Sequence, residues 1–196
     1  MAATAGPINS GMRFRGTGTL APRPVRTQNE SGATTERETV DDAETFVSAV
    51  MPALTEADTA LHNGDAEPRK VLWSRTDPVT LFGAAKTTIG ADEVIPFFDV
   101  LATRFSNCES FTYEVTAAGV SGDLAYVAGI ERTTASVGGA DPQPYALRVT
   151  TIFRREGGDW KIIHRHGDAL PEGDVDMTRT QIRRLRNADT AAPDSA

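Results

Sequence analysis

The apolar residues of this chain change their period once, from helical to alternating, and that one switch decides which folds it can reach. Residues 41–63 place Phe46, Val47, Val50, Leu54, Ala57 and Leu61 three and four apart, which is one face of a helix, and Asn63-Gly64 is a stop signal. Pro52 is expected to kink that helix. A short helix is expected over 66–74, with Asp65 as its N-cap, and then a short strand in VTLFG at 79–83. A third helix is expected over 91–104, where Val94, Phe97, Phe98, Leu101 and Phe105 share a face. After Glu109 the pattern alternates. SFTYEVTA, DLAYVAGIERTT, PYALRVTTIFRR and DWKIIHRHGD are strand-like runs separated by glycine-bearing turns. Three helices followed by an antiparallel meander make an α+β fold in which one sheet face covers the helices.

Composition locates the core and excludes several functions. Of 13 aromatic residues, 12 fall between Phe46 and Trp160. Residues 1–40 are rich in Gly, Pro, Thr and Arg without apolar periodicity, so they are expected to be a disordered tail, leaving a domain at 41–172. Residues 173–196 are expected to be a second tail, disordered or partly helical, with one basic turn or two around Ile182 and Leu185. The net charge is −7, and the segment 41–172 holds 20 acidic against 11 basic residues, so nucleic acid is not an expected partner. No stretch approaches the roughly 20 apolar residues of a membrane span, and the N-terminus lacks the apolar core of a signal peptide, so a cytoplasmic protein is expected. The single cysteine, Cys108, cannot form an internal disulfide, and a structural zinc site is not expected. No phosphate loop or GxSxG element occurs.

ALHNGD closing the first helix, DPVTLFG as first strand and FRREGGDWKIIHRH as last hairpin give the chain its resemblance to one superfamily. It resembles the nuclear transport factor 2-like superfamily, with its SnoaL-like and ketosteroid isomerase-like members, over about residues 41–171. The resemblance implies a cone-shaped α+β roll, with three helices packed on a curved, mostly antiparallel sheet. It also implies a small-molecule pocket inside the cone and a homodimer formed through the outer sheet face. Members of the superfamily include isomerases, dehydratases, cyclases and non-catalytic association domains, so the fold leaves open whether the chain is an enzyme.

Residue parity suggests what the pocket contains. In the last strand Trp160, Ile162, His164, His166 and Asp168 share one face, expected to point into the cone. With Gly157-Gly158 as a two-residue turn, Phe153 would lie opposite Ile162 and Thr151 opposite His164, and Tyr126, Ala128 and Ile130 would continue that face. Glu131 and Arg148 would pair outside. A one-residue bulge in the hairpin would exchange the faces.

On this register the candidate catalytic residues are His164 or His166 as acid or base, Tyr126 as hydrogen-bond donor to a carbonyl, and Asp168 as the group that orients a histidine. The histidines and Tyr126 also have structural readings, as hydrogen-bonded strand histidines and as a core aromatic. Trp73, Asp77, Phe82 and Thr151 are candidate ligand-binding residues, although each of the two aromatics is more simply core and Asp77 also reads as a turn residue. Leu81-Phe82-Gly83 stands where the resembling ketosteroid isomerases carry a proton-abstracting aspartate, which counts against steroid isomerisation. No metal or cofactor is expected. Two functions follow: an isomerase, dehydratase or cyclase acting on an apolar carbonyl compound, or a non-catalytic dimerisation or ligand-sensing module. An open cavity reaching His164 favours the first, and one plugged by Trp73, Phe82 or Phe98 favours the second.

Overall fold

The computed structural model describes residues 31–171, 173 and 175–187. Helix α1 spans Ser31–Leu61 and therefore begins ahead of the expected start at residue 41. Ala33, Glu36, Arg37 and Glu38 are good helix formers, and a helix already nucleated by a packed segment adds such residues readily. Its packed face carries Phe46, Leu54 and Leu61, with Pro52 on the exposed side. Helix α2, Glu67–Leu72, starts where Asp65 Oδ1 accepts a hydrogen bond from the Glu67 amide at 3.0 Å. Helix α3, Ala91–Ala102, buries Val94, Ile95, Phe97 and Phe98. Asp77 is a cap rather than a pocket residue, because its Oδ1 accepts from the amide of Ala91 at 2.9 Å.

Six strands form one sheet in the order β2-β1-β6-β5-β4-β3. They are β1 Thr80–Phe82, β2 Thr87–Ile89, β3 Phe105–Ser121, β4 Leu124–Val137, β5 Gln143–Glu156 and β6 Asp159–Ala169. All pairings are antiparallel except β1 with β6. The short strand β2, not visible in the sequence pattern, is the return arm of a hairpin that extends the sheet edge. This is the α+β fold anticipated from the change of period, and the mostly antiparallel roll that the resemblance implies.

The face assignment departs from expectation in two places. Gly157 and Gly158, both at positive φ, close the expected two-residue turn between Glu156 and Asp159. Further along, Phe153 pairs with Ile162 but Ile152 pairs with His164, so Ile163 is an extra residue that bulges β6. Every β6 residue beyond it changes face. Between β4 and β5 the pairing is shifted by one, with Phe153 opposite Ala125 rather than Tyr126. The inner face of the sheet consequently carries Val127, Glu131, Thr133, Tyr145, Val149, Thr151, Phe153, Ile162 and Arg165. Tyr126, Ile130, Arg148, His164, His166 and Asp168 stand on the outer face.

Where one basic turn or two is expected around Ile182 and Leu185, the described residues form a helix of 13 residues. Helix α4, Val175–Asn187, packs across the open end of the cone, with Thr178 and Gln181 buried and Leu185 against the core. Thr178 Oγ1 accepts a hydrogen bond from the amide of Ala146 in β5 at 3.2 Å. Two of the buried contacts on this helix are polar, so the sequence shows apolar spacing only at Ile182 and Leu185.

Candidate active site

The bulge at Ile163 turns Arg165 inward, where it meets Glu131 on the neighbouring inner face. Arg165 Nη2 donates to Glu131 Oε2 at 2.5 Å, and both side chains are nearly closed to solvent. A second ion pair joins the helices: Arg69 Nη1 of α2 donates to Asp58 Oδ2 of α1 at 2.7 Å, again deeply buried. Such pairs stand away from water only when both partners are kept, since an isolated buried charge costs several kcal/mol.

His62, the last α1-proximal residue before the Asn63-Gly64 stop, bridges these pairs to the sheet. Its Nδ1 lies 2.6 Å from the Asp58 carbonyl oxygen, and its Nε2 lies 2.5 Å from the Tyr145 hydroxyl. A carbonyl only accepts, so Nδ1 carries the proton, and Nε2 accepts from Tyr145. Burial lowers the His62 pKa to about 4, outweighing the backbone bond to Asp58. The imidazole is therefore neutral at physiological pH. Burial pushes both the Tyr145 and Tyr113 hydroxyls well above the ordinary tyrosine range, so each remains protonated. Burial also raises the Glu131 carboxyl against the opposing pull of Arg165.

Apart from Tyr113, these groups surround a cavity of about 90 Å³ beneath α4. Asp58, His62, Arg69, Glu131, Tyr145 and Arg165 supply its polar wall, and Leu81, Phe97, Phe98, Leu101, Phe105 and Leu147 its apolar wall. Gln181, Ile182 and Leu185 of α4 close it opposite the β1–β2 turn at residues 83–86. An apolar chamber with a few convergent polar groups is the usual form of a small-molecule site. The arrangement can hold an oxygen-bearing molecule and give or take a proton at Glu131.

Of the residues proposed from sequence, Thr151 alone is buried on the inner sheet face, and it does not line the cavity. Trp73 is core, packed on Phe98 with ring centroids 5.3 Å apart. His164, His166, Tyr126, Asp168 and Phe82 lie on the outer face, away from the cavity, because the β6 bulge and the β4 register invert their parity. There they form a local group: His164 Nδ1 is 2.7 Å from Thr80 Oγ1, Phe82 meets His164 edge-on, and Asp168 pairs with Arg148. The cavity does not reach His164, and neither Trp73 nor Phe82 plugs it. Glu131 and Arg148, expected to pair outside, are separated by the sheet. Among the described residues no cluster of three or more His, Cys, Asp or Glu is placed to hold a metal, and no helix is long and apolar enough to cross a membrane.

The family model for the SnoaL-like domain matches residues 49–170, more than half of the chain and the whole span from mid-α1 to the end of β6. The chain belongs to the SnoaL-like domain family. Solved structures with this fold include a proposed dehydratase of the NTF2-like family from Streptomyces avermitilis, 24% identical with a TM-score of 0.52, covering 66% of this chain and 99% of that one. An NTF2-like protein of unknown function from Pseudomonas putida KT2440 is 19% identical with a TM-score of 0.52, covering 71% and 93%. An NTF2-like protein from Cytophaga hutchinsonii is 14% identical with a TM-score of 0.51, covering 63% and 97%. No curated protein matches the sequence. At these identities the likeness extends to the fold. The polar wall of this SnoaL-like chain includes His62 and Tyr145, which are not among the candidates the sequence suggests. The signal that could have found them is charge on an apolar stripe: Asp58, His62 and Arg69 interrupt otherwise core-facing helical positions.

The neutral His62 has a measurable consequence. Between pH 6.5 and about 4 the unfolded chain binds a proton at this residue and the folded chain does not, so the His62 contribution lowers stability as pH falls through that window. The loss should reach about 3 kcal/mol at its acid end. Urea unfolding at pH 6.5 and pH 4.5 should show a drop in the wild-type protein that is smaller in His62→Gln.

Proposed function

We propose that this SnoaL-like domain binds a small carbonyl-bearing molecule in the cavity and moves a proton on it, as an isomerase, dehydratase or cyclase does. The observation that supports this most is Glu131, a buried carboxyl lining an apolar chamber, with a raised proton affinity and one oxygen anchored by Arg165. A carboxyl whose proton affinity is raised by burial is better suited than a solvated one to alternate between base and acid. Tyr145 gives its one hydroxyl hydrogen to His62 Nε2, so at the cavity wall it offers its oxygen as an acceptor. A cytoplasmic setting goes with this reading, since the one cysteine requires no oxidising compartment.

The test begins with native mass spectrometry of the purified protein, where a co-purifying small molecule is expected. With that compound as substrate, Glu131→Gln should lose stability through the Arg165 cation left without a carboxylate, and both it and Glu131→Gln/Arg165→Met, which removes the two charges together, should show turnover reduced by about 10²–10⁴-fold in the folded fraction that binds the compound. Unchanged turnover in Glu131→Gln, or a ligand whose binding is lost on His164→Ala and His166→Ala instead, would contradict the reading.

We also propose that the outer sheet face forms a homodimer. Leu124 and Tyr126 are 49% and 42% exposed there, Tyr126 lies over Gly119, and Phe82 is 38% exposed beside the two histidines. Apolar groups of this size on one polar-rimmed face suit self-pairing about a two-fold axis. The role of Tyr126, His164 and His166 on this reading is contact with the second copy. Sedimentation at micromolar concentration should give twice the 21.0 kDa chain mass, and Tyr126→Glu should halve it. A wild-type value of one chain mass removes the proposal.

A further inference from the structure

The buried polar atoms that lack a partner on the cavity-lining residues are all of one kind. Arg69 Nε, Arg165 Nε and Gln181 Nε2 are N–H donors without an acceptor. Gln181 is completely buried, and its other amide atom, Oε1, is already taken by Arg184 Nη1 at 3.3 Å. A buried donor left unsatisfied is costly, and an acceptor brought in by a ligand removes that cost. No cavity-lining acceptor is left in the same condition.

The approach to the cavity carries a second signal. Lys86, in the β1–β2 turn, lies over the Phe97 ring at 5.0 Å on the cavity rim. A surface depression that shares Ala84 and Ile182 with the cavity wall is lined by Arg179, Arg183 and Arg186 of α4. Arg186 Nη2 donates to the Ala84 carbonyl at 2.7 Å, so α4 is latched to the turn facing it. The one carboxylate in that depression, Asp168, is paired with Arg148. In a chain of net charge −7 this is a local reversal of sign at the mouth of a cavity. Inside, Asp58 and Glu131 are each matched by a guanidinium, so the interior pairs do not oppose an incoming anion by net charge.

We propose that the cavity takes a small carboxylate with an apolar body, admitted between the β1–β2 turn and α4, with Gln181 Nε2 donating to a carboxylate oxygen. This rests on the cavity being the ligand site and adds the ligand's charge and the part played by α4. The volume of about 90 Å³ suits a ligand of about half a dozen heavy atoms. Anything larger needs α4 to shift outward. Gln181 is thus a specificity residue on the one wall supplied from outside residues 49–170.

The probes are isobutyrate and its neutral isostere isobutyramide, titrated into the full chain and followed by amide and methyl NMR shifts. Isobutyrate should bind in the millimolar range, at least about tenfold more tightly than isobutyramide, and more weakly as salt is raised. The shifts should fall on Leu147, Ile182 and Leu185. Gln181→Leu should weaken isobutyrate about tenfold and leave the melting temperature near that of wild type, because it removes an unpartnered buried N–H together with one long bond from Arg184. Arg183→Glu should weaken it without moving the shifts elsewhere. No saturable isobutyrate binding, equal affinity for the two probes, or unchanged affinity in Gln181→Leu overturns the proposal. Isobutyramide alone shifting the cavity residues would overturn the carboxylate inference and leave the cavity reading standing. Shifts confined to Tyr126, His164 and His166 would overturn both.

Discussion

Arg165→Met should cost the fold about 3–5 kcal/mol near pH 7, because it leaves the Glu131 carboxylate buried without its cation. The sign of the pH dependence follows from the same group. Burial already raises the Glu131 pKa, and without Arg165 nothing as close counters it. A carboxyl with a raised folded pKa takes up a proton as pH falls, so the deficit of the variant should be smaller at pH 5 than at pH 8. The double variant Glu131→Gln/Arg165→Met should recover most of the loss, since it removes both charges together. Chemical unfolding of the four proteins at the two pH values checks this. An Arg165→Met protein as stable as wild type would mean that the side chain is in water, and the β6 bulge is then misplaced.

The second large effect lies in the core. Trp73→Ala should destabilise the domain by about 3–5 kcal/mol, the range for deleting a large aromatic from a packed interior. Trp73 is 1% exposed, joins the end of α2 to β6 through a bridge with Ile162, and packs on Phe98 of α3. Removing it opens a void where two helices and the sheet meet. For a domain of this size the melting temperature should fall by roughly 10 °C or more. A fall of only a degree or two in a thermal melt would show that the ring borders the cavity instead and that its space is filled by water.

The two results probe different depths of sequence legibility. Trp73 as core, and the helices and strands around it, follow from local pattern: Phe46, Leu54 and Leu61 in one stripe, Phe97 and Phe98 in another, and four alternating runs between glycine turns. These signals are carried by each segment alone. The site depends on which residues from different segments meet, and there one residue of register decides everything. The single extra residue at Ile163 sends His164 and His166 outward and Arg165 inward. A one-residue offset between β4 and β5 does the same for Tyr126 and Glu131. Period-2 patterning does not reveal a bulge when both faces of a strand carry mixed residues, as WKIIHRHGD does. Helix α4 shows in the sequence only as one basic turn or two for a related reason, since Thr178 and Gln181 are buried polar residues and look like tail composition until the sheet edge that satisfies Thr178 is in place. His62 stood at a helix end in sequence, and only the fold brings Tyr145 to its Nε2.

The central claim is that the bulged register puts Glu131, Arg165 and His62 inside the cone and the histidines of β6 outside it. The three histidines of the chain report on this together. A pH titration of their imidazole nitrogens by NMR should show one ring locked as the neutral Nδ1–H form down to about pH 4. Assignment through His62→Gln should remove the locked ring. The absence of any such ring, or a locked ring that disappears on His164→Ala or His166→Ala and survives His62→Gln, would contradict the account.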